Sequence, residues 1–215
     1  MSHWANDSGS LFILGRTQTG KTTAAKEIHA ENDRISIWVN QRGEDRIRGV
    51  SGNRYESLDG VKSGLARNER KFNLLSGDPK RDVQALKEFA WSAAERTDRS
   101  LPWQIVIDEI QNTAPQTQER ELEPRDSIRQ IAKEGQKRNI RVVGITQDPV
   151  SMDKQTLRQR EYLLTFDLSK EQRDVITDYV NRPEIINQQP EYAGVLWHAN
   201  GQALFEGVKA KARYG

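Results

Sequence analysis

The sequence predicts an α/β domain in which a mostly parallel central sheet carries helices on both faces and ends in a C-terminal β-hairpin. Two observations predict the sheet. Short apolar runs alternate with segments whose apolar residues recur every three or four positions, and several runs are apolar throughout, as in buried parallel strands. A third observation predicts the hairpin, because Asn200-Gly201 separates two apolar runs near the end of the chain.

The composition is that of one soluble domain. The chain has 215 residues, 33 basic and 31 acidic, and this near balance neither demands nor excludes a nucleic-acid partner. It has no cysteine, which excludes disulfides and thiolate chemistry, and its 3 histidines are scattered. No apolar run approaches roughly 18 residues, so we expect a soluble, intracellular protein that does not span a membrane. We expect a loosely ordered lead-in at 1–10, a single domain at 11–208 and a basic tail at 209–215.

The first predicted strand leads into a loop with the spacing of a phosphate-binding site. The apolar run from Leu11 to Leu14 precedes G-x-x-x-x-G-K-[ST] and a helical pattern. Glycines at both ends let backbone N–H groups turn toward phosphates, while Lys21 supplies a charge and Thr22 a hydroxyl for magnesium. A glycine-rich surface turn is the alternative, but it would not need the flanking strand and helix. The predicted nucleotide-binding residues are Gly15, Arg16, Thr17, Gln18, Thr19, Gly20, Lys21, Thr22 and Thr23, the last of which equally fits a packing or capping role.

Four further elements are predicted before residue 100. Ile35 to Val39 form a β-branched and aromatic run, the second strand, which ends in a turn-rich segment at 40–45. A helix is expected at about 58–70 and a short strand at 71–75. Asp78-Pro79 then begins a helix of about four turns, because an acidic cap precedes a proline that needs no hydrogen bond in the first turn.

The next predicted strand ends in two adjacent carboxylates. The apolar run Gln104 to Ile107 leads directly into Asp108 and Glu109. Neighbouring side chains of a strand point to opposite faces, so both acids reach one site only where the chain turns. Asp108 would then hold the magnesium shell, and Glu109 would orient and deprotonate the attacking water. The alternative is a strand that ends in solvated acids.

The remaining elements complete the sheet. A polar loop is expected from Thr113 to Asp126 and a helix from Ser127 to Lys137. The apolar strand that begins at Arg141 ends at Gln147, which either contacts the γ-phosphate and the attacking water or bonds only to backbone. A helix at 151–160, a strand at 162–166, a helix at 170–180 and hairpin strands at 192–198 and 203–208 follow.

The second half of the chain resembles the HerA/FtsK group of P-loop ATPases, which move DNA as ring-shaped oligomers. The likeness is carried by DEIQN at 108–112, IAKEGQKRNIRVVGITQDP at 131–149 and MDKQTLRQREYLLTFDLSKEQRDVI at 152–176. A free-standing domain of this size is most similar to the genome-packaging ATPases of membrane-containing viruses. The resemblance implies a RecA-like (ASCE) P-loop NTPase fold with ATP and Mg2+ as cofactors. It also implies nucleotide contacts from Gly15, Gly20, Lys21 and Thr22, an acidic pair of Asp108 and Glu109, and a sensor role for Gln147.

Two positions depart from the pattern of that group. Gln136 and Asp148 stand where the group carries arginines. A ring ATPase needs a cation from the neighbouring subunit to stabilise charge in the transition state. Arg138 and Arg141 are the candidates, with Arg158 and Arg160 as further ones, and each equally fits a solvated surface charge.

The resemblance implies an ATP-driven DNA translocase, most similar to a viral genome-packaging ATPase. Its partners would be double-stranded DNA, gripped through phosphates without regard to sequence, further copies in a pentameric or hexameric ring, and a capsid or membrane docking protein. It would work in the host cytoplasm or virion. The segments 42–48 and 113–126 would line the pore, unless they are ordinary solvated loops. A cellular DNA-processing ATPase and a non-motor ATP-binding scaffold remain as alternatives, whereas a GTP switch is disfavoured because the sequence lacks N-K-x-D.

Overall fold

The computed structural model describes residues 7–41, 49–96, 101–115 and 124–209. Its strands are β1 (Leu11–Leu14), β2 (Ile35–Gln41), β3 (Asn53–Tyr55), β4 (Lys71–Ser76), β5 (Trp103–Ile107), β6 (Ile140–Thr146), β7 (Tyr162–Thr165), β8 (Ala193–His198) and β9 (Ala203–Lys209). Its α-helices are α1 (Lys21–Glu31), α2 (Leu58–Ala66), α3 (Pro79–Arg96), α4 (Pro124–Glu134), α5 (Lys154–Arg158) and α6 (Lys170–Ile176). Short 3-10 turns occupy Ile110–Asn112, Gly135–Arg138, Thr177–Tyr179 and Pro183–Gln188.

These strands form one sheet in the order β3-β4-β2-β5-β6-β1-β7-β8-β9. The pairs from β3 to β7 are parallel, and β8 and β9 add an antiparallel hairpin at one edge. Alternate residues of a strand pack on opposite faces: Leu11 and Ile13 belong to one apolar cluster and Phe12 and Leu14 to the other. The predicted α/β fold, with a mostly parallel sheet and a C-terminal hairpin, is confirmed.

Strand β6 lies between β1 and β5, and this order positions the candidate site. Leu14 at the end of β1 pairs with Thr146 at the end of β6, and Ile107 at the end of β5 pairs with Gly144 of β6. The carboxyl ends of these three parallel strands therefore meet at one edge of the sheet. Ligands bind at that edge in open α/β sheets.

Several predicted boundaries differ from the structure. The short edge strand β3 is not predicted, and α2 ends at Ala66 rather than near residue 70, because the chain turns at Asn68 with φ 64°. Helix α4 begins at Pro124, inside the segment predicted as a loop, and ends before Gly135, where a Cβ atom would lie 2.3 Å from the carbonyl oxygen of Ile140. At the other end of that predicted loop, Thr113 and Ala114 are buried.

The described part of the N-terminal lead-in is packed rather than loose. Ser10 is buried, and its carbonyl oxygen accepts hydrogen bonds from the backbone of Glu161 and Tyr162. The Tyr162 hydroxyl donates to the carboxylate of Asp7 at 2.8 Å. Residues 1–6, most of the predicted tail and the predicted pore segment 42–48 lie outside the described residues. None of the described helices combines the length and the apolar character needed to cross a membrane.

Candidate nucleotide-binding site

The loop between β1 and α1 has the backbone that its glycines permit. Gly20 is the N-cap of α1 with φ 104°, a conformation that favours glycine, and it leaves the first N–H groups of the helix to other acceptors. At Gly15 a Cβ atom would lie 2.7 Å from Thr19 Oγ1 and 2.8 Å from Phe166 Cβ. Both positions therefore exclude larger side chains, which explains the spacing of the motif in physical terms.

The loop is held by contacts to its own backbone and to the end of β7. Thr19 Oγ1 donates to the carbonyl oxygen of Arg16 at 2.8 Å, and the ammonium of Lys21 donates to the same oxygen. The backbone N–H of Arg16 donates to the carbonyl oxygen of Asp167 at 2.9 Å, and the two side chains form an ion pair. Lys21 is 7% exposed and thus lies over the loop, where phosphates bound by the loop would meet its charge.

The two acids predicted from the sequence lie at the end of β5 as expected. Glu109 has φ 51° and ψ 53°, so the chain turns sharply in the left-handed region directly after Asp108. In a continuous strand these two neighbouring side chains would point to opposite faces, but the turn brings both carboxylates into the lining of one cavity. The cavity has a volume of about 230 Å³, and its lining includes Lys21, Thr22 and Gln147. The strand ends that carry the loop and the acids therefore converge on one space.

Gln147 connects the end of β6 to the loop. Its side-chain oxygen accepts a hydrogen bond from Thr17 Oγ1 at 2.8 Å, so the side chain does not bond only to backbone. Its backbone carbonyl oxygen accepts from Gln172 Nε2 of α6 at 2.5 Å. This residue thus lies between the phosphate loop and the acids, where it would contact a γ-phosphate.

Three further residues belong to the site but are not predicted from the sequence. Lys26 lines the cavity, and burial lowers the pKa of its ammonium while the charge of Asp108 opposes that shift. Gln111 Nε2 donates to Glu109 Oε2 at 2.7 Å, and Thr146 Oγ1 donates to Gln111 Oε1 at 2.6 Å. Lys26 follows Thr22 by one helical turn, a signal that would have identified it. The Gln111 contact joins the 3-10 turn after β5 to the end of β6, 35 positions later in the chain, and so leaves no local signal.

The oxygen groups at this edge fit a magnesium ion. Thr22 and Asp108 line the same cavity, and hydroxyl and carboxylate oxygens are ligands that Mg2+ accepts. Within the described ranges, no three acidic or histidine side chains cluster closely enough to hold a metal by themselves. A magnesium ion here would therefore depend on phosphate oxygens and water for its other ligands, as is usual for this ion.

Arg141 does not fit the role of a cation that reaches a neighbouring subunit. It is 1% exposed at the amino end of β6, and its guanidinium donates to Gln104 Oε1 at 2.8 Å and to the carbonyl oxygen of Asp7 at 2.7 Å. Arg160 is likewise buried, at 3% exposure, and donates to the carbonyl oxygen of Tyr179. The sequence-based prediction for these two residues is therefore wrong, because both are structural cations of the core.

The other two candidates lie at the surface. Arg138 is half-buried in the turn after α4, with its guanidinium 4.7 Å from the centroid of the Trp91 ring, and Arg158 is exposed at the end of α5. Of the two positions that depart from the family pattern, Gln136 is exposed, and Asp148 accepts hydrogen bonds from the backbone and hydroxyl of Ser151 in a turn. Arg138 and Arg158 are thus the cations of the predicted set that a second chain could contact.

The fold is shared with solved ATPase structures, although no protein-family model matches the chain and no curated protein matches it in sequence. The genome-packaging NTPase from Sulfolobus turreted icosahedral virus 2, in complex with ATPγS, superposes with a TM-score of 0.70 at 13% identity, over 95% of this chain and 98% of that chain. The DNA-packaging ATPase from Sulfolobus turreted icosahedral virus gives a TM-score of 0.70 at 15% identity, over 94% and 98% of the two chains. EccC (ATPases 2 and 3) of Thermomonospora curvata gives 0.62 at 9% identity, over 97% of this chain but 38% of that chain. The RecA-like P-loop fold, and its likeness to viral packaging ATPases at the level of the fold, are therefore confirmed.

Proposed function

We propose that the chain is a magnesium-dependent ATPase that moves double-stranded DNA and that it packages a viral genome. The observation that carries the proposal is the single cavity in which Lys21 and Thr22 of the loop face Asp108, Glu109 and Gln147 from two other strands. The similarity in fold to two viral packaging ATPases over nearly the whole of both chains supports it. The Asp-Glu pair and the strand-end glutamine supply a metal ligand, a group that orients and deprotonates water, and a γ-phosphate contact, which are parts of the machinery for hydrolysing a γ-phosphate.

The side chains divide the chemistry among them. The N–H groups of the loop and the Lys21 ammonium bind the phosphates. Thr22 and Asp108 would hold Mg2+, and the ion would supply positive charge to neutralise the phosphate oxygens. The Glu109 carboxylate orients the attacking water and accepts its proton. The Gln147 side chain, which bonds to Thr17 of the loop, contacts the γ-phosphate and so couples its presence to the end of β6.

The remaining charge in the transition state calls for a cation from a neighbouring subunit. An open cleft of about 450 Å³ is lined by Arg16, Thr17, Gln147 and Gln172, and it shares Thr17 and Gln147 with the cavity that the acids line. Arg138 lies near the amino end of β6, at the sheet edge opposite its own nucleotide site, so a role at the site of a neighbouring subunit fits its position better than a role in its own chain. We therefore infer a homo-oligomeric ring, a pentamer or hexamer, in which Arg138 acts in trans.

The motor would grip DNA through its phosphates, because a packaging machine must accept any sequence. DNA stimulation of hydrolysis should then weaken as salt concentration rises. The proposed setting is the host cytoplasm or the virion, with a capsid or membrane protein as the docking partner. The proposed pore segment 42–48 and residues 116–123 of the proposed pore segment 113–126 lie outside the described residues.

Two variants test the site and the activity together. We expect Lys21→Ala to lose nucleotide affinity, because it removes the charge that meets the outer phosphates, and Glu109→Gln to bind nucleotide normally but lose hydrolysis, because the proton acceptor is gone. Equilibrium binding of ATP and steady-state hydrolysis, each with and without duplex DNA, separate the two effects.

Normal hydrolysis by both variants would refute the assignment of the site. Nucleotide binding by the wild type without turnover, at any DNA concentration, would instead indicate a non-motor ATP-binding scaffold. Arg138→Ala should bind ATP but hydrolyse slowly. Mixing it with Lys21→Ala subunits should restore part of the activity, because an Arg138→Ala site next to a Lys21→Ala subunit would receive Arg138 from that neighbour.

A further inference from the structure

We propose that Tyr192, with Pro190 beside it, forms the nucleobase site of this protein and that the site binds the base by stacking without reading its hydrogen-bonding edge. The protein would then accept ATP and GTP with similar affinity. This inference rests on the proposed function for the position of the triphosphate and adds the class of base that the site accepts.

The strand order sets the direction of a bound nucleotide. The loop follows β1, the acids follow β5 on one side of it, and Tyr192 directly precedes β8 on the other side, beyond β7. A triphosphate that lies along the loop with its γ-phosphate toward Asp108 must therefore extend its nucleoside toward the β7 and β8 side.

Two cavities occupy that side of the loop, and Tyr192 lines both. One has a volume of about 310 Å³ and is otherwise lined by residues 18–23 of the loop and α1. The other has a volume of about 490 Å³ and lies between residues 16–19 and the segment 186–193. The two cavities share Gln18, Thr19 and Tyr192 in their linings, so they adjoin between the start of α1, where an α-phosphate would lie, and the segment before β8.

Tyr192 is held close to the loop in an unusual conformation. Its φ is 60°, in the left-handed region that bulky residues rarely adopt, and the residue is 53% exposed. A Cβ atom placed on Gly20 would lie 3.6 Å from the Tyr192 carbonyl oxygen and 3.7 Å from its Cβ, so the two segments are in near contact. An exposed aromatic side chain in a strained backbone beside a phosphate loop is typical of a ligand contact.

Two amide side chains of the second cavity, those of Asn187 and Gln189, are bonded within the protein. Gln189 Oε1 accepts from the N–H of Gly207 at 2.8 Å, and its Nε2 donates to the carbonyl oxygen of Ile185 at 3.0 Å. Asn187 Oδ1 accepts from the N–H of Leu168 at 3.1 Å, and its Nδ2 donates to the carbonyl oxygen of the same residue at 2.7 Å. Each amide has one donor and one acceptor bonded to the backbone, so its orientation is fixed by the protein and it cannot turn to match the edge of a bound base.

The charged and apolar groups that line the cavity also favour binding of the base by stacking rather than by hydrogen bonds to its edge. Asp167 is paired with Arg16, and Glu191 is exposed to water, where a hydrogen bond from a base gains little. Pro190 and the exposed Tyr192 line the same cavity. Stacking of a base on an aromatic ring tolerates every base, because every base has a π-face.

Equilibrium binding of ATP, GTP and inorganic tripolyphosphate to the full chain tests the proposal without depending on hydrolysis. We expect wild-type affinities for ATP and GTP within about fivefold of each other. Tyr192→Ala should weaken both nucleotides by about 5- to 100-fold, the range for loss of one stacked base, and leave tripolyphosphate unchanged. Tyr192→Phe should bind all three like the wild type, because the ring is retained.

Equal weakening of tripolyphosphate by Tyr192→Ala would overturn the proposal, since Tyr192 would then support the loop rather than the base. A wild-type preference of about 100-fold or more for one nucleotide would also overturn it, because the base edge would then be read. Glu191→Gln is the control for such reading, and we expect it to leave the ratio of ATP to GTP affinity unchanged. Because only binding is measured, the outcome is independent of whether DNA stimulates turnover.

Discussion

Glu109 is the residue on which the proposed chemistry depends most, and its carboxylate is positioned by contacts from outside the acidic pair. Its left-handed backbone sets the direction of the side chain, and Gln111 Nε2 holds one carboxylate oxygen at 2.7 Å. Gln111 is itself held by the hydroxyl of Thr146 at the end of β6. The buried hydroxyl of Thr146 thus fixes the amide of Gln111, and this amide fixes the direction of Glu109, the proposed general base.

Loss of Gln111 should therefore slow hydrolysis without weakening nucleotide binding. We expect Gln111→Ala to lower kcat about 10-fold and to leave KM for ATP nearly unchanged, because a misdirected base affects the transition state more than the bound nucleotide. Thr146→Val, which keeps the shape but removes the hydroxyl, should lower kcat in the same direction. Steady-state hydrolysis and a separate binding measurement check both.

Gln84→Ala is a matched control, because Gln84 Nε2 also donates to a glutamate, Glu88 Oε1 at 3.2 Å, but on helix α3. It should hydrolyse ATP like the wild type. A wild-type kcat for Gln111→Ala would show that Glu109 is oriented without this contact.

Single residues also show how far the sequence predicts the site. The loop residues were predictable because eight consecutive positions contain the whole motif, and the acids were predictable because a buried strand ends at them. The burial of Arg141 was not predictable, because its hydrogen-bond acceptors are Gln104, 37 positions earlier, and Asp7, 134 positions earlier. A cation whose partners come from other strands looks in the sequence like one at the surface.

Among the elements, helix α6 links its own N-terminus to the site. Ser169 Oγ accepts from the N–H of Gln172 at 3.2 Å, and Gln172 Oε1 accepts from the N–H of Ser169 at 2.9 Å, which completes a capping box. The other end of the same amide donates to the carbonyl oxygen of Gln147. The cap of α6 therefore also positions the strand end that carries the proposed sensor.

Removal of this cap should affect both stability and hydrolysis. We expect Ser169→Ala to destabilise the fold by about 1 kcal/mol, as is typical for a lost N-cap, and to lower hydrolysis about threefold because Gln172 loses one of its contacts. Ser57→Ala is the matched control: Ser57 caps α2 by accepting from the N–H of Gly60 at 3.2 Å, away from the site. It should show a similar loss of stability in urea unfolding and unchanged hydrolysis. Equal hydrolysis by the two variants would argue against the link.

The elements that the sequence did not predict share a physical cause. Strand β3 has three residues, two of them exposed, so it carries no apolar pattern and depends on pairing with β4. The start of α4 lies in a run of charged and polar residues, where helix and loop have similar composition. By contrast, β1, β5, β6 and the hairpin have apolar runs or a turn signal of their own, and their positions are confirmed.

At the scale of the whole molecule, a chain of buried hydrogen bonds crosses the sheet beneath the site. Arg141 of β6 donates to Gln104 of β5 at 2.8 Å, Gln104 donates to Ser36 of β2 at 2.8 Å, and Ser36 bonds to His29 Nδ1 of α1 at 2.7 Å. His29 Nε2 lies 2.9 Å from the carbonyl oxygen of Ser51. This series of hydrogen bonds connects α1, which follows the phosphate loop, to the strands that end at the acids and at Gln147. Breaking it should therefore displace the loop relative to those strands.

Acid should break this chain at His29 and so destabilise the whole domain. Burial lowers the pKa of His29 to about 4, the carbonyl of Ser51 opposes the shift and the charge of Lys71 adds to it. In the unfolded chain the same group titrates near its ordinary value of about 6.5, so between these two values the unfolded state binds a proton that the folded state excludes. Stability must therefore fall as the pH falls from about 6.5 to about 4, by about 3 kcal/mol in total. Lys71, whose pKa burial lowers to about 8, stays charged throughout this window.

Urea unfolding of the wild type and His29→Gln between pH 7.5 and pH 4 isolates the contribution of this one histidine. The variant should be less stable at pH 7.5, because the core is disturbed, but it should lose about 3 kcal/mol less than the wild type over the acidic range, since its side chain does not titrate. Carboxylates contribute equally to both curves and cancel in the difference. If the free energy of unfolding fell equally with pH in the two proteins, His29 would be accepting its proton in the folded state. The hydrogen bonds from β6 to α1 would then not keep His29 neutral.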